Sequence, residues 1–426
     1  MRPPDDSLEV DFVDFSVTGP YDSRYRFVMA ALILAAHFSV GLNVFAVSPV
    51  LLLVIEDLNI SRTTASLLVA LPLLISAVFG LPGSVLVMKL GLRRAFILGW
   101  AAMGLLVLSA VASGFWPLLA LRLVYGLGSS LILTAAGPLL MQWFKPKEVT
   151  IMNGLDMAAL SLGIALSVWL AAPLAGLAGW QGMLGLIGVV GLAGTFAWTL
   201  LGRSPGFEDG QEGGITLGEI PRVLSNRAIL LLLAADAGVL VQYTALASWL
   251  PSFFVEVRGM TFSRAGFVTG LVPFVGVLGV LLGGVLPLKI DSNRLFLVAP
   301  GAMIVLGGLG AFGSGNIVVI YISLGLVGLG SWLYVPTLLS MSMQIVGRVP
   351  GRVAIVWGSL ITFSGMGMFI SPILVGFLRD SFGSFYPGFI LCSLGAWALL
   401  LAGILMPKNA AAPLGQEKRP TADRTL

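Results

Sequence analysis

Four ionisable side chains stand inside long apolar stretches of this chain: His37, Arg122, Asp156 and Asp236. A charge at the centre of a membrane helix costs roughly 2.5–3.5 kcal/mol, so each must either do chemistry or satisfy a buried partner. An imidazole changes charge near pH ~6.5, and a carboxyl group inside a helix can take up a proton when its cavity opens to one side and release it on the other. His37 and Asp236 are therefore the candidate proton carriers. A guanidinium grips a carboxylate through two parallel hydrogen bonds, which makes Arg122 either a clamp for an anionic solute or a structural arginine capping buried carbonyls. Asp156 lies toward one end of its segment near Lys145 and Lys147, as a gate or helix-end group would.

Neutral polar side chains repeat at helical spacing around these groups. His37, Gly41, Val44 and Ser48 share one stripe, Tyr243 falls on the face of Asp236, and Tyr334, Thr337, Ser340 and Gln344 form another stripe beside Trp332. With Asn43, Gln242 and Trp357, the expected substrate-contacting set is Arg122, His37, Tyr243, Gln242, Asn43, Tyr334, Trp332, Thr337 and Trp357. A neutral aromatic wall facing a cationic one suits a small anion or polar organic solute, although such hydroxyls also back-bond within helices. One histidine and one cysteine, Cys392, cannot build a metal site or a disulfide. No phosphate-binding GxxxxGK(S/T) loop occurs, so neither ATP nor any cofactor is expected.

The elements that must position these groups follow from composition. Apolar residues make up 57% of the chain and charged residues 10%, with a mean hydropathy of +0.99, against about 25% charged residues in a soluble domain. Segments of roughly 20 apolar residues fall near 27–52, 65–88, 95–114, 117–141, 151–173, 182–201, 228–254, 265–288, 295–313, 317–343, 353–378 and 385–406. The expectation is an all-α membrane protein of twelve transmembrane helices. The first segment reads as a retained span rather than a signal peptide, and the glycines at 182, 185, 188, 191 and 194 read as close helix packing. Polar stretches at 1–25, 202–227 and 407–426 read as a mobile tail, a linker and a disordered tail, leaving two bundles at 26–201 and 228–406.

The net charge of +4 does not point to nucleic acid once it is placed on the topology. Every Lys and Arg except Arg62, Arg122, Arg258, Arg264 and Arg379 falls on one side, which the positive-inside rule makes cytoplasmic together with both termini.

The two bundles echo each other at an offset of about 200 residues. Lys89, Arg94 and Phe96 meet Lys289, Arg294 and Phe296; Gly128-Ser129 meets Gly330-Ser331; Gly163 meets Gly367; and Ser61-Arg62 meets Ser263-Arg264. Arg122 and His37 meet Leu324 and Val239, so the packing residues repeat and the charges do not.

Two six-span halves, a central polar loop and basic short loops after the second and eighth spans resemble the major facilitator superfamily of secondary transporters over about residues 26–406. Arg122-Leu123-Val124-Tyr125-Gly126-Leu127-Gly128 resembles its RxxxGxG pattern. Lys89-Leu90-Gly91-Leu92-Arg93-Arg94 resembles its loop between spans two and three, with Met88 and Ser84 where an aspartate and a glycine are typical. The gate that this resemblance implies would use Lys89, Arg93 and Arg94, with Asp156 beside them. Trp249-Leu250-Pro251-Ser252 is similar to the cyanate and nitroimidazole permease branch, and Trp143-Phe144-Lys145-Pro146-Lys147-Glu148 to monocarboxylate-type members. The Gly-Pro signature of drug/proton antiporters is missing between Gly163 and Pro173.

The resemblance implies a monomer in the cytoplasmic membrane that moves a small organic solute, an anion by the reading above, with protons and by alternating access. Proton-driven efflux of apolar or cationic compounds is the alternative. From another class, a non-transporting relative would serve as a sensor or assembly factor.

Overall fold

Hydrocarbon supplies no hydrogen-bond partners, so a chain this apolar must satisfy its backbone from within, and helices do so segment by segment. The computed structural model describes residues 24–204, 219–290, 292–347 and 350–406; the tail before residue 24, most of the linker, Arg348 and the tail from 407 lie outside the described residues. Fifteen α-helices and no strand occur among the described residues. In chain order they are α1 Tyr25–Val44, α2 Leu51–Leu58, α3 Arg62–Val78, α4 Gly80–Leu90, α5 Leu92–Gly104, α6 Phe115–Trp143, α7 Pro146–Leu201, α8 Ile220–Leu224, α9 Arg227–Glu256, α10 Phe262–Val285, α11 Leu295–Gly313, α12 Ile317–Leu333, α13 Val335–Ile345, α14 Pro350–Phe382 and α15 Tyr386–Leu405.

Ten helical segments among the described residues are long and apolar enough to cross a membrane, and Arg62–Val78 is a shorter apolar helix. Helix α7, at 56 residues, would be about 84 Å long if straight, far beyond a hydrocarbon core of about 30 Å. It folds back at Gly179, where φ is 70°, a left-handed conformation that glycine adopts without steric cost. Both of its ends accordingly lie beside the start of α1: Glu148 pairs with Arg26 at 3.2 Å, and the Leu201 carbonyl accepts from the Tyr25 hydroxyl at 2.5 Å. Asp57 fastens the turn by accepting from Trp180 Nε1 and Gln181 Nε2, each at 3.2 Å.

The apolar core is not uniform through the depth of the molecule. On the face away from most of the basic residues, one continuous cluster draws from both halves, from Leu42 and Phe45 through Leu118 and Ile187 to Trp249, Phe253, Val327 and Phe389. Toward the basic face it divides. One cluster there comes from the first half alone, around Phe96, Ile132 and Trp198, and a separate one comes from the second half alone, around Leu232, Ile304 and Leu399. The halves are thus packed together on the far face and part toward the basic one. Helix α3 meets α14 and α7 meets α10 across the divide, where Ser161 Oγ donates to the Pro273 carbonyl at 2.7 Å and Trp169 Nε1 to the Phe267 carbonyl at 3.0 Å.

An ion network closes the far face. Glu256, at the end of α9, takes Arg62 Nη2 on one oxygen at 2.7 Å and Arg379 Nη2 on the other at 2.8 Å. Asp380 of α14 accepts from the backbone amides of Arg62 and Thr63 at 3.3 and 2.9 Å and from the Thr63 hydroxyl at 2.7 Å. Those amides open α3 and have no partner within the helix, so a carboxylate from one half caps a helix of the other. At the basic face, Glu219 pairs with Arg352 and ties short α8 to α14.

Glu256→Gln should loosen the far face. A membrane-impermeant maleimide should then label a cysteine placed at Ser48, fully buried between the halves, several-fold faster than in the Glu256 parent. At the other face, the Arg352 guanidinium holds the Glu219 carboxyl below its usual range. The tether is therefore present at neutral pH and is lost only as pH falls through that lowered value. Glu219→Gln should speed tryptic cleavage at Arg222 at pH 7, whereas the parent should show that speed only in acid.

Candidate functional site

The local reason for the Arg122 environment lies in the breaks of its neighbours. Helix α1 stops at Val44, ahead of a turn and the Ser48–Val50 3₁₀ segment, so its last carbonyls lose their i+4 donors, Asn43 O keeping a long bond from Ala46 N at 3.4 Å. In α3, Pro72 lacks an amide hydrogen and leaves the Leu68 carbonyl free. Arg122 fills all three vacancies: Nη1 donates to Asn43 O at 2.7 Å, Nη2 to Val44 O at 2.9 Å and Nε to Leu68 O at 2.9 Å. Its guanidinium lies 4.9 Å from the Tyr125 ring centre, and the residue is 1% exposed. This geometry is that of a strut joining α1, α3 and α6, and it leaves little of the fork to grip a solute.

Nearer the middle, where the shared cluster gives way to the divided ones, three rings meet. Tyr243 of α9 stands edge-on to Phe45 at 6.3 Å and to Trp332 of α12 at 6.2 Å. The Tyr243 hydroxyl and the Trp332 indole N–H are buried beside each other with no other hydrogen-bond partner, and the Thr337 hydroxyl on α13 is buried with none. Buried donors left unpaired are costly, and a cluster of them at the junction of two halves has the character of a ligand surface.

About two helical turns from Tyr243 toward the basic face, Asp236 is half-buried on α9 and accepts from the Tyr334 hydroxyl at 2.7 Å and from Ser364 of α14. Tyr334 is placed by the break between α12 and α13, where Pro336 cannot donate into the preceding turn. Ser364 was not among the residues singled out from sequence, because nothing there tells which turn of α14 faces α9.

Asp156 does not stand with Lys145. It is 2% exposed on α7, with Oδ1 3.5 Å from His37 Nδ1 on α1, and the same nitrogen lies 3.3 Å from the Ile33 carbonyl. Ten residues along α7 from Pro146 carry it well below the loop.

The remaining expected residues are dispersed. Asn43 Nδ2 donates back to Ser39 O at 2.9 Å, and Gln242 Nε2 turns toward Ile304 O and Ser393 Oγ at 3.3 Å each. Trp357 is exposed on α14. Arg93 straps the start of α5 to the end of α7, donating to Gly202 O at 2.8 Å and Thr199 O at 2.7 Å, while Lys89 and Arg94 are exposed. The far-face network of Arg62, Glu256, Arg379 and Asp380 was also missed, although acids at helix ends on a face poor in charge were a usable signal.

The arrangement has close relatives in known architecture. Over 366 residues the chain is 22% identical to the Hexuronate transporter of Bacillus subtilis (strain 168), covering 79% of this chain and 84% of that one. It is 28% identical over 211 residues to MFS-type transporter SLC18B1 of Homo sapiens, a match that spans 48% of this chain and 44% of the human protein. The crystal structure of a bacterial homolog to the human lysosomal transporter Spinster, inward-facing and unoccupied, superimposes with a TM-score of 0.71 at 17% identity, over 91% of this chain and 94% of that one. With the Major Facilitator Superfamily profile matching residues 33–366, the chain belongs to that family of multi-pass membrane transporters.

Proposed function

We propose that this chain is a proton-coupled secondary active transporter that takes up a small organic anion, of the sugar-acid kind named for its Bacillus relative, across the cytoplasmic membrane. It crosses that membrane twelve times as a monomer, with both termini and the basic face in the cytoplasm. Residues 26–201 and 228–406 rock about one central site. The observation that carries this reading is the core that is single on the far face and divided toward the basic one, the packing of an inward-open transporter held shut outside by its ion network.

With Arg122 committed to carbonyls, the charge of an anion must be met by other means. Trp332, Tyr243 and Thr337 offer neutral donors, and Asp236 stands beyond them with hydroxyl partners and no basic one among its hydrogen bonds. An ionised Asp236 repels an incoming carboxylate, whereas a protonated one does not. Solute and proton then bind with positive coupling, which by linkage works in both directions. The uncompensated Asp236 carboxylate also supports a second reading, export of an organic cation in exchange for protons, in which the same group attracts the solute.

Proteoliposomes with an inside-alkaline gradient should accumulate labelled D-glucuronate. Asp236→Asn should lower that accumulation at least about tenfold while keeping counterflow exchange within about twofold. Uphill uptake that survives in Asp236→Asn would remove the proton role. Proton-driven movement of ethidium, with none of glucuronate, would favour the cation reading; movement of neither across a broad solute panel would favour a protein that no longer transports.

A further inference from the structure

The pair formed by His37 and Asp156 is absent from the coupling scheme above, yet it is the most deeply buried acid–base contact in the described part of the chain. Both side chains are 3% exposed. Asp156 Oδ1 has no hydrogen-bond donor, and His37 Nδ1 lies between that oxygen and the Ile33 carbonyl. With Asp156 ionised, a hydrogen on Nδ1 answers both acceptors, which leaves Nε2 and the second carboxylate oxygen to receive another proton. Ionised acid with neutral imidazole is a net charge of minus one in a dry place; one added proton makes the pair neutral, whichever partner holds it.

Among the described residues no other group compensates Asp156. Its single ion-pair partner among the described residues is His37. On α6, Arg122 is spent on three carbonyls and the Tyr125 hydroxyl donates to Val40 O at 2.8 Å. Arg26 and Glu148 pair with each other at the basic ends of α1 and α7. Helices α3, α5 and α10 bring charged side chains only at their starts, as Arg62, Arg93 with Arg94, and Arg264.

The internal duplication adds an independent argument. Helix α1 crosses α7 where a Cβ on Gly163 would meet the Phe38 carbonyl oxygen at 2.1 Å, and α9 crosses α14 where one on Gly367 would meet Val241 at 2.7 Å and the Ala237 carbonyl oxygen at 3.3 Å. Each glycine crossing has a carboxyl group bridging the same helix pair toward the basic face: Asp156 to His37 in the first half, Asp236 to Ser364 in the second. The repeat kept the crossing and set different acids into it.

We infer that His37 and Asp156 form a second proton-binding site, separate from Asp236, which holds one exchangeable proton between α1 and α7. Its place in a transport cycle rests on the proposed function; its existence does not.

His37 is the sole histidine of the chain, so the full-length protein labelled with [15N]histidine and purified on a histidine-free tag gives one imidazole, assigned by construction. In nanodiscs titrated from about pH 4 to about pH 9, its nitrogen signals should follow one proton-binding step. That midpoint should move by about tenfold or more in proton concentration in Asp156→Asn and stay in place in Asp236→Asn. Asp156→Glu, which keeps the acid, should return it to within about threefold of the parent. Absence of any titration in the parent, or one midpoint shared by the parent and Asp156→Asn, overturns the site. If Asp156→Asn does not fold, a parent midpoint retained in Asp156→Ser does so equally. In proteoliposomes that move D-glucuronate, Asp156→Asn should lower the proton-to-solute ratio by about one; failure of glucuronate transport alone leaves the titration result standing.

Discussion

Carbonyls that lose their helical donors inside a membrane have no water to turn to, and the fold of the first half depends on how three of them are answered. The end of α1 exposes Asn43 and Val44, and Pro72 exposes Leu68; one guanidinium on α6 serves all three. The second half differs at this point. Helix α9 runs unbroken from Arg227 to Glu256, through the level at which α1 stops, and the position equivalent to Arg122 is Leu324, fully buried. Where the helix does not break at that level, the end carbonyls served by Nη1 and Nη2 have no counterpart, although Pro251 and Pro273 still free the Ala247 and Thr269 carbonyls as Pro72 frees that of Leu68. A charge that sequence left open between a solute clamp and a structural cap is thus explained by the helix break beside it.

Closure of the far face is built from a different kind of contact. Its ion pairs lie at helix ends and remain partly exposed, where each is worth little because water screens it. The amides that Asp380 caps at the start of α3 would find water if the halves separated. Such bonds fix the register of the two halves while keeping the cost of opening small, as the proposed alternation between two states of similar free energy requires. The glycine crossings within each half have no such freedom: carbonyl oxygens sit where a Cβ would be, so each half is packed as a body.

The segmentation, the duplication and the membrane class were legible in sequence because apolar runs and repeated glycines write them directly. Contacts between distant helices were not. Asp156 read as a loop-side group because depth along α7 was visible and its neighbour was not; only the folded chain shows that its turn faces His37. Asn43 and Gln242 read as cavity groups by residue type, yet each spends its amide N–H inside its own half. For Arg122 a signal did exist. Pro72 and the Ser48-Pro49 step mark freed carbonyls, and no acid stands at matching depth on the same helix, a combination that favours backbone capping over ion pairing.

Helices α7 and α14 tie the acid pairs to the joint between the halves. Each bears one member of a buried polar pair within its half, Asp156 and Ser364, and each also packs across the divide, α7 on α10 and α14 on α3. Ser161, five residues beyond Asp156, donates to Pro273 in the other half, and Gly365, next to Ser364, lies against Ala77. A change of charge at Asp156 therefore falls on a helix that also forms the seam, and one at Asp236 falls on the hydrogen bond that such a helix donates. Coupling between sites needs an element that both can bias, and in this fold those elements are the two helices that belong to a half and to the joint between halves at once.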